Sequence, residues 1–316
     1  MECFIDWRDP GPAAWEATYE TMPRSTLLQS RAYADALCPG LGQRPLRATI
    51  HIDGVTAGLV QLQEAALLRR AVHAVSLDRG PVWVAGMGTA PQIQAFFTTL
   101  CAHFPTRFAR KRRFLPEAPA SARSRLNAIR DLSATAASTP YQTIWCDLSA
   151  SDADLRKKLK PKWRNMLSKA ERQETTVNWD WHGHLLTPFL LGYCAQREDI
   201  GTPGTAPDTL KCLAKYFIPG KNMLIGLASA ADNTPLAGFL AFRHGRSATY
   251  QAGWITGAGR AAAANHLLLW QAMLELRAAD VLELDLGGVN DSGAAGVKRF
   301  KEGLGGQLVE LAGHYR

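Results

Sequence analysis

The chain predicts a mixed α/β protein made of two similar domains in tandem, and three observations carry that expectation. With 316 residues, 47% hydrophobic, 9% aromatic and 20% charged, it can fill two packed cores, which excludes a disordered or fibrous protein. One hairpin pattern occurs twice. Leu46 to Ile52 alternates, Asp53-Gly54 supplies a turn and Ala57 to Gln63 returns; downstream, Met223 to Ser229, Asp232-Asn233 and Leu236 to Phe242 repeat the plan. Ala57-Gly58-Leu59-Val60 is echoed by Ala237-Gly238-Phe239-Leu240, and a repeat spaced this widely implies duplicated domains rather than a solenoid. Finally, each hairpin runs through further strand into a helix, Thr89 to His103 in the first half and Ala263 to Ala279 in the second.

The second of these helices is apolar nearly all round, with Leu267, Leu268, Leu269, Trp270, Met273, Leu274 and Leu276, so it belongs between layers. Val281 to Leu286 then reads as a buried strand ending at Gly287-Gly288. Residues 116 to 140 are rich in Pro, Ala, Ser and Thr and fit a surface connection with one short helix around Ala122 to Arg130, placing the domain boundary near 140.

Thirty-six Lys and Arg against 28 Asp and Glu give a net charge of +8, suited to polyanionic partners but unable to choose among them. The six cysteines form no Cys-x-x-Cys pair and no zinc-ligand pattern, so they read as reduced and no metal is expected. The first residues lack the basic and apolar regions of a signal peptide, and no uninterrupted apolar run is long enough to span a membrane. The expected compartment is the cytoplasm.

Leu155, Leu159, Trp163, Met166, Leu167 and Ala170 recur at helical spacing, with Pro161 interrupting the ladder and starting a second helix. Beside that stripe Lys162, Lys169 and Arg172 share a face. Between residues 156 and 172 lie Arg156, Lys157, Lys158, Lys160, Lys162, Arg164, Lys169 and Arg172 against one acid, Glu171, which fits either a solvated face or a phosphate-backbone contact. A second run, Arg107 to Phe114, interleaves cations with aromatics; as a strand it puts Arg110 and Arg112 on one face, Lys111 and Arg113 on the other.

The segment Ile255 to His266 leads from strand to helix, where acyl-CoA transferases of the GNAT fold present backbone N–H groups to a pyrophosphate through an Arg/Gln-x-x-Gly-x-Gly/Ala loop. Here that register reads Arg260-Ala261-Ala262-Ala263-Ala264-Asn265. Two small positions have gained side chains, which should hinder a pyrophosphate while leaving Arg260 able to hold a smaller anion or carbonyl. The tail Gly296 to Gly306 packs four glycines around Lys298, Arg299 and Lys301, so tight turns should hold Lys301 still, ready to stabilise an oxyanion. No Gly-x-Ser-x-Gly elbow or histidine triad exists, and His266 reads as a satisfied core histidine.

Together, Lys162-Trp163-Arg164-Asn165-x-Leu167-x-Lys169-Ala170-x-Arg172, Tyr250-x-Ala252-Gly253 with Arg260 and Asn265 to Trp270, and Asp285-Leu286-Gly287-Gly288 followed by Phe300-Lys301-x-Gly303-x-Gly305-Gly306 resemble the FemABX-like aminoacyl transferases. Leu28-Gln29-Ser30 with Tyr33, and Arg79-Gly80-Pro81, look like that family's first-domain marks. The resemblance implies two GNAT-like domains, residues 1–140 and 141–306, with 307–316 returning to the first. It implies aminoacyl-tRNA as co-substrate with no other cofactor, and an amine as acceptor. Lys301 would stand at the reacting ester, with Arg197, Tyr250, Arg260, Asn265, Asp285 and Phe300 around the substrate and Lys162, Arg164, Lys169 and Arg172 toward tRNA. Arg197 resembles an arginine that holds acceptor phosphates in peptidoglycan-building members, but Leu37 replaces the lysine that completes that clamp. A small metabolite or peptide acceptor follows. Two rivals remain: an acyl-CoA-dependent N-acyltransferase, and a non-catalytic RNA-binding protein on the same fold.

Overall fold

The computed structural model describes residues 1–135, 139–200, 204–289 and 295–316. The chain divides into two compact units, residues 1–143 with 309–316, and residues 144–308.

Unit 1 runs through β1 (Cys3–Asp6), α1 (Pro12–Tyr19), α2 (Arg31–Leu37), β2 (Arg44–Ile52), β3 (Val55–Leu67), β4 (Val72–Gly80), β5 (Val82–Trp83), α3 (Ala90–His103), β6 (Arg110–Pro116) and α4 (Arg123–Asn127). Its sheet has the order β1-β2-β3-β4-β6, with β5 paired to β3 and only the β4/β6 pair parallel. The β2–β3 turn works because Asp53 and Gly54 both adopt positive φ, 49° and 81°, which matches the twist of the flanking strands. Thr89 and Gln92 close a capping box at the start of α3, whose apolar face buries Ile93, Phe96, Phe97 and Leu100 against the sheet.

The Gln29 and Gly80-Pro81 marks meet inside this unit. The fully buried Gln29 amide donates to the carbonyls of Gln61 at 3.0 Å and Asp78 at 2.9 Å, and accepts from Gln61 N at 2.8 Å. Gly80 packs on that amide, where a Cβ would come within 2.7 Å of its nitrogen. Neighbouring Arg79 makes a two-pronged pair with Glu117 at 2.7 and 2.8 Å. These motifs hold β3 and β4 together.

From β7 (Gln142–Asp147) the chain continues through α5 (Asp152–Lys158), α6 (Pro161–Ala170), β8 (Thr175–Asp180), α7 (Leu186–Ile200), α8 (Pro207–Phe217), β9 (Met223–Ala230), β10 (Pro235–His244), β11 (Ser247–Ile255), α9 (Gly257–Ala261), α10 (Ala264–Ala278), β12 (Glu283–Gly288), α11 (Ala295–Glu302) and β13 (Gln307–Glu310). The second sheet has the order β13-β7-β12-β11-β10-β9-β8. Helix α10 lies on β9 and β10 and against α6, burying the leucines that the sequence placed between layers.

The duplication is plain in the connectivity. The series β1, α1, α2, β2, β3, β4, α3, β6 recurs as β8, α7, α8, β9, β10, β11, α10, β12, each with three antiparallel pairings followed by one parallel pairing across a helix. The echoed glycines have a cause as well. Gly58 pairs with Trp83 and Gly238 with Trp254; a side chain at Gly58 would collide with the Val82 carbonyl at 2.3 Å, and one at Gly238 would press into the Trp254 indole. Residues 309–316 complete unit 1, where Leu311 bridges Pro119 and the buried Tyr315 bridges Phe114.

Candidate functional site

The two sheets differ at one point. In unit 1 the parallel strands β4 and β6 stay paired from His73 with Arg110 to Gly80 with Pro116. In unit 2, β11 and β12 pair only from Ser247 with Glu283 to Thr249 with Asp285, although they continue to Ile255 and Gly288. A bulge between Leu240 and Ala241 shifts β11 against β10, and the Asp285 carboxylate accepts from Gly287 N at 2.8 Å, curling the end of β12 where Gly287 takes φ 72°. The sheet therefore forks at Tyr250 and Leu286.

Lys301 enters this fork from α11. The glycine-rich tail was expected to hold it by tight turns; instead Lys301 sits in a helix, and burial to 8% exposure immobilises it. Its Nζ donates to Gly288 O at 3.1 Å and lies 5.7 Å from the centre of the Tyr250 ring. Burial pushes the ammonium down to about 8, opposed by the buried Asp285 carboxylate. Tyr250 stacks on Phe239 at 5.0 Å, and its hydroxyl, pushed up to about 12 by burial, covers Gly253, where any side chain would collide with it.

Tyr250, Asn265 and Phe300 converge on one small recess with Phe239, Leu268 and Leu269, so three expected substrate residues share a wall beside Lys301. Sequence reasoning missed Phe239, whose signal was its place in the echoed Ala-Gly-Phe-Leu strand, and misjudged His266. The His266 ring lies 4.9 Å from Trp163 and 5.0 Å from Phe300, its Nδ1 is buried without a well-formed hydrogen bond, and burial pushes it down to about 4. It is a neutral wedge behind Phe300 rather than a satisfied core histidine.

Arg260 is not in that recess. Exposed at the end of α9, it donates to Ile255 O at 3.2 Å and borders an apolar cavity of about 540 Å3 with Leu191, Gln196, Trp254 and Thr256. Ala263, one of the two positions expected to hinder a pyrophosphate, holds the left-handed conformation that suits glycine, φ 57°, and is buried in the core; the other, Asn265, lines the recess. Arg197 on α7 stacks on Tyr193 and donates to Thr205 O at 3.3 Å, a carbonyl that also accepts from Tyr193 at 3.0 Å. Leu37 ends α2 in unit 1.

The basic run is largely committed to local contacts. Arg156 grips Glu171 at 2.6 Å, Lys157 and Lys158 pair with Asp154 and Asp147, and Lys160 reaches Glu302 at 3.9 Å. Arg164 caps the end of α5 through the carbonyls of Lys157 and Leu159, both at 3.0 Å, and Lys169 donates to Ala261 O at 2.9 Å. Helix α6 stops at Ala170, so Arg172 lies beyond it rather than on the expected helical face. Lys162 and Arg172 are exposed and have no ion pair among the described residues.

Fold and site together define a tandem GNAT-fold protein with its forked sheet in the second unit. Residues 154–302 match the family described as an acetyltransferase (GNAT) domain. In structure the chain is FemX-like: it superposes on the crystal structure of FemX with a TM-score of 0.78 at 17% identity, covering 100% of this chain and 96% of FemX. It is also similar to a conserved protein of unknown function from Bacteroides thetaiotaomicron, with TM-score 0.60, 12% identity, and 96% and 94% of the two chains covered. L-PGS from Bacillus licheniformis shares the fold with TM-score 0.52 at 10% identity, over 98% of this chain and 91% of that one. No curated protein matches the chain in sequence. No helix among the described residues is long and apolar enough to cross a membrane.

Proposed function

We propose that the protein moves an amino acid from aminoacyl-tRNA to the amine of a small molecule or peptide, forming an amide. The observation that carries this reading is Lys301: a buried ammonium with a pKa of about 8, at the fork, beside the recess of Tyr250, Asn265 and Phe300. The donor ester is already activated, so catalysis needs orientation of a neutral amine and stabilisation of the tetrahedral oxyanion rather than a nucleophilic side chain. The amine attacks the ester carbonyl and the Lys301 ammonium faces the developing oxyanion. That attack forms the C–N bond; collapse of the tetrahedral intermediate then restores the carbonyl and breaks the ester C–O bond, with the amine proton passing to the leaving ribose oxygen. Lys162 and Arg172 are the cations left for tRNA phosphates, and Arg197 with Arg260 would orient the acceptor.

A second reading, acyl-CoA-dependent N-acylation on the same fork, is favoured by the match of residues 154–302 to the acetyltransferase (GNAT) family. Incubation with radiolabelled aminoacyl-tRNAs and, separately, acyl-CoAs, each with candidate amines, decides between them. Accelerated loss of the aminoacyl ester with amide product is expected. Stoichiometric acyl-CoA binding with thioester turnover and no use of any aminoacyl-tRNA would replace the first reading by the second.

A further inference from the structure

Unit 1 carries a surface that the proposed chemistry does not use. The β3–β4 hairpin tip presents Leu67 and Leu68, 69% and 78% exposed, and beside it stands Phe108, 96% exposed, in the turn before β6. The two tips form one platform: Arg107 donates to Ala71 O at 3.0 Å and to Arg70 O, and His73 N donates to Ala109 O at 2.9 Å. Around the apolar side chains lie exposed Arg69, Arg70, Arg107 and Lys111. The nearest acid, Glu64, is buried beneath and already shared by Arg44, Arg70 and His73; Asp131 is taken up by Arg112 and Thr106. Arg69 and Lys111 have no ion pair among the described residues.

The local backbone points the same way. Leu68, Arg69 and Arg70 occupy three successive left-handed positions, with φ of 49°, 54° and 71°. Glycine, asparagine or aspartate would relax such a turn and suit water better than leucine does. Holding an aliphatic side chain and two guanidiniums there works against both local rules, which is expected where the side chains meet something outside the molecule.

We infer that this double tip is a docking surface for an anionic lipid membrane, with Leu67, Leu68 and Phe108 entering the headgroup–acyl boundary and Arg69, Arg70, Arg107 and Lys111 meeting the lipid phosphates. Charge complementarity selects that occupant. The apolar side chains stand singly among cations, which suits shallow insertion under an anionic layer and not a broad apolar interface with another protein.

Co-sedimentation of the full chain with phosphatidylcholine vesicles, and with phosphatidylcholine vesicles containing phosphatidylglycerol, tests this. Binding is expected only to the second and should weaken steeply with salt. Arg69→Gln with Lys111→Gln should lower vesicle affinity about 25-fold, each surface cation being worth about fivefold. Leu68→Ser with Phe108→Ser should remove binding by more than about tenfold with an unchanged unfolding midpoint, since all four side chains are exposed. Equal binding to both vesicles, or to neither, overturns the inference. So does finding that these variants abolish self-association or tRNA binding while leaving vesicle binding intact, which would assign the platform to a second copy or to RNA.

Discussion

Lys301→Met separates what the ammonium does for chemistry from what it costs the fold. Lowering the lysine from 10.5 to about 8 means that the charged form is less favourable in the folded chain than in the unfolded one by about 3 kcal/mol. The sign follows from proton counting. Between pH about 8 and about 10.5 the unfolded chain binds more protons, so stability rises with pH across that window, and the full penalty applies below it. Methionine keeps the length and apolar stem without the charge. The variant should therefore be more stable than the parent by about 1 to 3 kcal/mol at neutral pH, with the difference shrinking as pH approaches about 10.5. Turnover should fall by about 100-fold or more, the scale for losing one oxyanion donor. Urea denaturation at several pH values and single-turnover amide formation measure the two effects. A variant that turns over normally removes Lys301 from the mechanism. One less stable than the parent at neutral pH shows that the ammonium supports the fold and that its desolvation is offset there.

Asp285→Asn removes the charge that opposes desolvation of Lys301, so its pKa should drop below about 8 and the alkaline limb of the rate–pH profile, set by loss of the ammonium, should move to lower pH; an unmoved limb refutes the coupling. Lys162→Gln with Arg172→Gln should lower the salt slope of tRNA binding by about 1.5 to 2 units, whereas Arg164→Gln, whose guanidinium caps α5, should lower the unfolding midpoint with little change in slope. Ala263→Gly should be near neutral in stability, because relief of the left-handed strain offsets the lost methyl and the freer unfolded chain; Ala272→Gly, in the buried middle of α10, should cost about 1 to 2 kcal/mol. Gln29→Ala should cost at least about 2 kcal/mol by leaving the Gln61 and Asp78 carbonyls unpaired, read from chemical denaturation.

Local chemistry explains what could be read from the chain alone. The Asp53-Gly54 and Asp232-Asn233 turns, the α10 leucines and the echoed Gly58 and Gly238 strands are short-range signals, and the structure has each of them. Tyr250, Asn265, Phe300 and Lys301 were recognisable as separate motif residues, but their convergence depends on where β11 and β12 stop pairing, a register between distant segments that no local pattern encodes. Glycine content argued for turns around Lys301, yet the packing of half-buried Phe300 against the core and the burial of Lys301 favour a helix there. Counting cations also overstated the free charge: Arg164 and Lys169 are held by backbone carbonyls, which are present everywhere in a sequence and visible nowhere in it. Glu64 shared by Arg44, Arg70 and His73 escaped notice because strand pairing, not sequence proximity, brings those side chains together.

Residues 309–316 belong to unit 1, while everything between 144 and 308 belongs to unit 2. During synthesis, therefore, the first unit to leave the ribosome is the last to be finished. Its core lacks Leu311, Ala312 and Tyr315 until residue 316 has emerged, and by then unit 2 is already complete. A stop codon after Leu308 would leave β11 and β12 of the fork in place, shorten the edge strand β13, and strip partners from Phe114, Ala118 and Pro119 far upstream. The damage from such a truncation would fall on a unit whose other residues, 1–143, were made long before the lesion.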